Sequence, residues 1–155
     1  MIVRTRNVLL FALLLTLLLP LPAYAPHPLQ VPVPVEQEHP DLDLLARIIH
    51  AEARGECITG QVAVGAVVLN RVNDPRFPGT IEAVIFEPGQ FQPVWQGTLP
   101  AEAGERSREA ARRVLEGENP VGNAVYFYHS ELSSCGWIRG NTTPVAVVGI
   151  HIFAR

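Results

Sequence analysis

Lysine is absent from this 155-residue chain; all 12 basic side chains are arginine. The uniformity reads as codon usage rather than as function. With 15 acidic residues the formal charge is −3. No basic stripe of the kind that duplex nucleic acid demands is present, so nucleic acid is not an expected partner. Cysteine is nearly absent too. The only two, Cys57 and Cys135, are far apart and lack the close C-x-x-C spacing of zinc sites. There is no G-x-S-x-G for a serine hydrolase, no phosphate-binding glycine-rich loop and no internal repeat. Long apolar runs are limited to Val8–Leu19, about 12 residues and too short to cross a bilayer of roughly 30 Å.

That run has the form of an export signal. Arg4 and Arg6 precede it, and Ala23-Tyr24-Ala25 supplies the small-x-small pattern that signal peptidase cleaves. Residues 1–25 are therefore expected to be a signal peptide, with a retained N-terminal anchor as the alternative. No cysteine follows the run directly, so a lipoprotein anchor has no attachment point. Losing Arg4 and Arg6 takes the formal charge to −5. Residues 26–40 carry Pro26, Pro28, Pro32, Pro34 and Pro40, which prevents helix or paired strand and predicts an extended linker. The domain proper is expected at 41–155, large enough for one core. In an oxidising compartment Cys57 and Cys135 can form a disulfide, worth roughly 4 to 5 kcal/mol on the chain-entropy model. Two free thiols would look the same in sequence.

Helical spacing predicts a first helix from a cap at Asp41 to about Arg54, stopped by Gly55. Leu45, Ile48 and Ile49 share one face, and Asp43, Arg47 and His50 the other. Glu52 falls near the centre of the apolar stripe, where amphipathic logic would place a leucine. A second helix over 60–73, capped by Thr59, is apolar on nearly every side and so reads as buried. A short helix is expected over 80–86, an irregular stretch over 90–97 and a surface helix over 100–116 with a Glu109–Arg113 pair. The alternation over 124–129 predicts a strand. Residues 145–153 read as one strand interrupted by Gly149. The class is α+β: helices first, then a small antiparallel sheet near the C-terminus.

A carboxyl aimed at a core holds its proton to higher pH, because burial disfavours the charged form. A glycosidic acid needs that property to deliver a proton to a leaving oxygen near neutral pH. The competing reading is a structural glutamate paired with Arg54 or Arg71. Glu56, one turn later, is better read as a partner for the following turn. His50-Ala51-Glu52 matches half of the zinc deaminase signature, but the later P-C-x-x-C is missing. A cysteine nucleophile served by His129 or His151 is a minor alternative. Trp95, Tyr126, Tyr128 and Trp137 are aromatics of the kind that pack against sugar faces, unless each merely fills the core.

The runs Ala51-Glu52-Ala53-Arg54-Gly55-Glu56, Gly60-Gln61-Val62-Ala63-Val64 and Leu69-Asn70-Arg71-Val72 resemble one known family. So do Val84-Ile85-Phe86, Pro88-Gly89-Gln90-Phe91, Ala124-Val125-Tyr126-Phe127, Trp137 and the stretch from Gly149 to Phe153. The likeness is to the catalytic domain of spore cortex-lytic enzymes and related cell-wall hydrolases (the SleB type), over about residues 42 to 153. It implies a lysozyme-like α+β fold and cleavage between N-acetylmuramic acid and N-acetylglucosamine in peptidoglycan. It also implies Glu52 as the single catalytic acid and base of a lytic transglycosylase. Substrate contacts are expected from Gln90, Gln92, Tyr126, Tyr128 and Trp137. No metal or cofactor is expected, and the protein is expected to be a monomer, secreted, periplasmic or in the cell wall. A wall-binding module without catalysis and a zinc-dependent wall amidase are the rival functions. The Pro-rich spacer stands where the best-known members have a peptidoglycan-binding domain, so general wall turnover is as open as a spore role.

Overall fold

A computed structural model describes residues 39–129 and 136–155. The expected signal peptide, nearly all of the Pro-rich linker and Cys135 lie outside those residues. Helix α1 spans Leu42–Ala53, α2 Ile58–Val72, α3 Ile81–Phe86, α4 Gln92–Trp95 and α5 Glu105–Leu115. Strand β1 (Tyr126–His129), helix α6 (Gly136–Asn141) and strands β2 (Pro144–Val148) and β3 (His151–Ala154) complete the order. The α+β class with a small C-terminal antiparallel sheet is as the sequence suggested. No helix among the described residues is long and apolar enough to cross a membrane.

The helices pack as their apolar periods require. Leu45, Ile48 and Ile49 of α1 are fully buried, against Val62 and Val68 of α2 and Ala110, Ala111 and Val114 of α5. Gly65 marks the closest approach among the three helices. A β-carbon there would lie 2.7 Å from Ile49 Cδ1 and 3.0 Å from Val114 Cγ2. A second cluster joins the other side of α2 (Ala63, Val64, Ala66, Val67) to Val121, Ala124 and Phe153. Helix α2 is thus covered on both flanks, as an all-round apolar helix must be.

Local starts and stops depart from expectation in instructive ways. Asp41 has helical backbone angles and makes no side-chain cap. Cys57, not Thr59, precedes α2, and Thr59 lies inside its first turn. Thr80 does cap α3, its hydroxyl accepting from Ala83 N–H at 3.2 Å. Residues 92–95, expected to be irregular, form one helical turn with proline in its first positions, where the missing N–H costs nothing. Helix α5 begins at Glu105, not Pro100, because the Pro100 carbonyl accepts Arg47 Nε–H at 2.6 Å and holds the preceding chain against α1. The Glu109–Arg113 pair forms at 2.9 Å.

The C-terminal run is two strands, not one. Gly149, at φ 59°, and Ile150 make a two-residue loop, with glycine first as in a type II′ turn. The sheet order is β1-β3-β2, all antiparallel, so β3 is central and takes the most buried residues. His129 pairs with His151 across β1 and β3. β2 is an outer strand that begins at Pro144 and carries an irregularity between Pro144 and Ala146.

Candidate active site

Glu52 sits in the last turn of α1 on the face that holds Leu45, Ile48 and Ile49. Its side chain is half-buried. Burial raises the carboxyl pKa above the usual 4.5, and the positive charge of Arg71 opposes the rise. Among the described residues none hydrogen-bonds the carboxyl. Of the two arginines considered as structural partners, Arg54 is exposed, and Arg71 is the one whose charge reaches Glu52.

Arg71 is only 4% exposed, inside the otherwise apolar α2. Its Nε–H donates to the Val125 carbonyl at 2.8 Å, and its guanidinium lies over Phe77 and Phe91 at 5.3 and 5.2 Å from the ring centroids. Burial lowers its pKa to about 10, partly offset by Tyr126, Glu87 and Glu52, so it stays charged at neutral pH. Arg71 Nη1 and Glu87 Oε2 are both buried without a hydrogen-bond partner. Buried polar atoms are paired in the great majority of cases, so two orphans in one charged cluster mark a place where polar groups are held for use. The arrangement sets one fixed cation, Arg71, within electrostatic reach of two carboxyls, Glu52 and Glu87.

A second polar group lies at the turn after α1. The carboxylate of Glu56 abuts Gly149 in the β2–β3 loop so closely that no β-carbon fits there. Glu56 belongs to packing between that turn and the hairpin; among the described residues its side chain makes no hydrogen bond to the turn that follows it, where its partner was expected. His151 is 8% exposed, its Nδ1 buried and unpartnered, with its ring edge-on to Phe127 at 5.5 Å. Burial lowers the His151 pKa, Glu56 raises it and His129 lowers it. Among the described residues no group of three or more His, Cys, Asp or Glu is placed to hold a metal ion.

A family model described as Cell Wall Hydrolase matches residues 55–154. The chain belongs to that family. Its relatives include the spore cortex-lytic enzymes of Oceanobacillus iheyensis, 42% identical over 116 residues, and of Bacillus subtilis, 40% identical over 115. Each alignment covers 74% of this chain but only 41% and 37% of those relatives, so the chain spans about two fifths of their length. The solved catalytic domain of the germination-specific lytic transglycosylase SleB from Bacillus anthracis superposes with TM-score 0.71 at 36% identity. It is matched over 79% of this chain and all of that one. The Bacillus cereus SleB catalytic domain gives 0.69 at 37%, covering 74% of this chain and 89% of that one. The fold is therefore the lysozyme-like α+β fold of SleB catalytic domains. The family match begins at residue 55, three residues after Glu52.

Within this cell wall hydrolase the sequence-picked residues are distributed unevenly around Glu52. Gln90 and Gln92 flank Phe91, whose buried ring receives the Arg71 guanidinium. Gln90 is half-buried and Gln92 exposed at the start of α4. Tyr126 is half-buried and edge-on to Phe77 at 6.2 Å, the ring that also lies under the Arg71 guanidinium. Tyr128 is only 8% exposed, closer to a core position than to an open sugar platform. Trp137 falls on α6, and its side chain is outside the described residues. Cys57 is exposed ahead of α2; its expected bridge to Cys135 involves a residue outside that description. Trp95 is 63% exposed on α4.

Glu87 was invisible in sequence as a site residue, and Arg71 had been weighed only as a structural partner. The available signal was a lone arginine within an apolar helical run. Gln61 and Ser107 also escaped notice. Both are buried, Ser107 Oγ–H donating to Gln61 Oε1 at 2.8 Å while Gln61 Nε2 donates to the Glu56 carbonyl at 3.1 Å. They tie the turn after Glu52 to α5.

Proposed function

We propose that this protein is an exported enzyme that cleaves the MurNAc–GlcNAc bond of peptidoglycan as a lytic transglycosylase, with Glu52 as its single acid and base. The observation that carries the reading is a half-buried carboxyl with a raised pKa at the end of α1, in the fold of a SleB catalytic domain. The carboxylic acid gives its proton to the glycosidic oxygen as the C1–O bond breaks. The resulting carboxylate then takes the proton of the muramoyl 6-hydroxyl while that oxygen bonds to C1. The products are a 1,6-anhydro end and a free 4-hydroxyl; no water is consumed, and Glu52 finishes protonated. Arg71 stabilises the carboxylate between the two steps, as a fixed charge does in a low-dielectric site. Gln90, Gln92, Tyr126, Tyr128 and Trp137 are proposed to contact the glycan.

The test is loss of turbidity of purified wall sacculi, comparing wild type with Glu52→Gln, followed by mass spectrometry of the released fragments. Activity in the wild type alone, with anhydro ends, is the expected outcome. Reducing ends would replace transglycosylation by hydrolysis, and freed stem peptides would move the cleaved bond. Equal clearing by both proteins would remove Glu52 from the mechanism.

A further inference from the structure

On the flank of α1 turned away from Glu52 lies a cavity of about 210 Å³, lined by His50, Ala51, Arg54, Pro93, Thr98 and Pro100. Two of its walls are α1 and the segment that runs from α4 toward α5. Helical spacing separates Arg54 from Glu52 by about 160° around the helix. This cavity therefore lies on a different face from Glu52, although both sit at the same end of α1.

The cavity is held open by specific contacts. Arg47 Nε–H anchors the Pro100 carbonyl at 2.6 Å, and Thr98 N–H bonds the Pro93 carbonyl at 2.8 Å across a turn with Gly97 at φ 68°. His50 is fixed through Nδ1, which accepts from Gly104 N–H at 3.3 Å and lies 3.3 Å from Ser107 Oγ. Those contacts use one ring nitrogen and leave the Nε2 edge for other partners. Arg54 is exposed and forms no ion pair among the described residues, whereas Arg47, Arg76, Arg108, Arg112 and Arg113 all do. An unpaired guanidinium and an imidazole edge on one concavity suit a ligand that carries a carboxylate.

We infer that this cavity is an accessory subsite for the wall polymer, where Arg54 pairs with a carboxylate of a peptide stem. The inference rests on peptidoglycan being the substrate. The two sites are separated by about one helix diameter, ~10 Å. A glycan strand several sugars long, with its stems projecting to the side, spans that gap. Engagement at both places raises the effective concentration of the scissile bond at Glu52.

Binding without turnover tests it. Glu52→Gln protein, alone or combined with Arg54→Gln or Arg54→Lys, is sedimented with purified sacculi and the dissociation constant measured. Arg54 is exposed, so neither added change disturbs folding. Arg54→Gln is expected to weaken binding by about tenfold, the scale of one charge-assisted hydrogen bond, with Arg54→Lys in between. The difference should vanish on sacculi stripped of their peptide stems. An unchanged dissociation constant for Arg54→Gln overturns the subsite, as does an equal loss on stripped and intact walls. Cleavage retained by Glu52→Gln would defeat the proposed mechanism alone, because the binding comparison needs no turnover.

Discussion

Replacing Glu52 by glutamine removes a carboxyl that folding takes out of water, and its effect on stability should depend on pH in a defined way. Burial is the larger influence on that group and raises its folded pKa above 4.5; Arg71 is the smaller, opposing one. Below pH 4 the carboxyl is neutral in both folded and unfolded chains, so it carries no charge penalty. As pH rises past the unfolded value, the unfolded chain ionises first and the wild type loses stability. The loss levels off once pH exceeds the folded value. Each pH unit separating the two values amounts to about 1.4 kcal/mol. For a domain of this size that is a melting-point difference of about 4 °C per kcal/mol. Glutamine keeps the shape without the charge, so Glu52→Gln should melt higher than wild type at pH 7 and close to it at pH 3.5. Differential scanning calorimetry of both proteins across that range measures the difference. A constant offset at every pH would mean that burial and Arg71 cancel, and a glutamine variant that loses ground to wild type between pH 3.5 and pH 7 would mean that Arg71 outweighs burial; either way the acid is not poised to hold its proton.

Arg71→Met should cost about 1 to 3 kcal/mol in urea unfolding, because the buried Val125 carbonyl loses its donor. The same change removes the charge that holds the Glu52 pKa down, so the alkaline limb of kcat/KM should move to higher pH; a stationary limb would make Arg71 purely structural. Gly149→Ala should destabilise by about 1 to 2 kcal/mol for the left-handed backbone, with the flexible Glu56 side chain moving aside from the new methyl group. A shift in urea midpoint too small for that cost would show that the hairpin relaxes freely. Gly65→Ala gains about 1 kcal/mol of helix propensity but overpacks Ile49 and Val114 at a cost of about 1 to 3 kcal/mol, so a net loss is expected. A raised melting temperature would contradict it.

What was legible in the sequence was whatever a single segment states by itself. Glu52 could be picked because helix spacing places it where Leu45, Ile48 and Ile49 point, and those three are buried. The buried nature of α2 followed from its all-round apolar surface. The hairpin was missed because Val145–Phe153 is apolar apart from His151, and only the left-handed turn at Gly149 shows where the chain reverses. Arg71, Glu87, Gln61 and Ser107 were unreadable as a network for a different reason. Each is an ordinary polar residue until tertiary packing brings distant segments together: Val125 to Arg71, and Ser107 of α5 to Gln61 of α2. The start of α5 failed likewise, since the contact between Arg47 and the Pro100 carbonyl outweighs local helix preference.

The proline that opens β2 has a consequence for molecules crowded together. An outer strand with free amide and carbonyl groups invites the same strand of a neighbour to extend the sheet, the first step toward fibres. Pro144 has no N–H to offer, and the irregular step to Ala146 spoils the spacing that a second molecule would need to match. Although Val147 is 70% exposed on that strand, sheet growth between molecules is discouraged at its first residue.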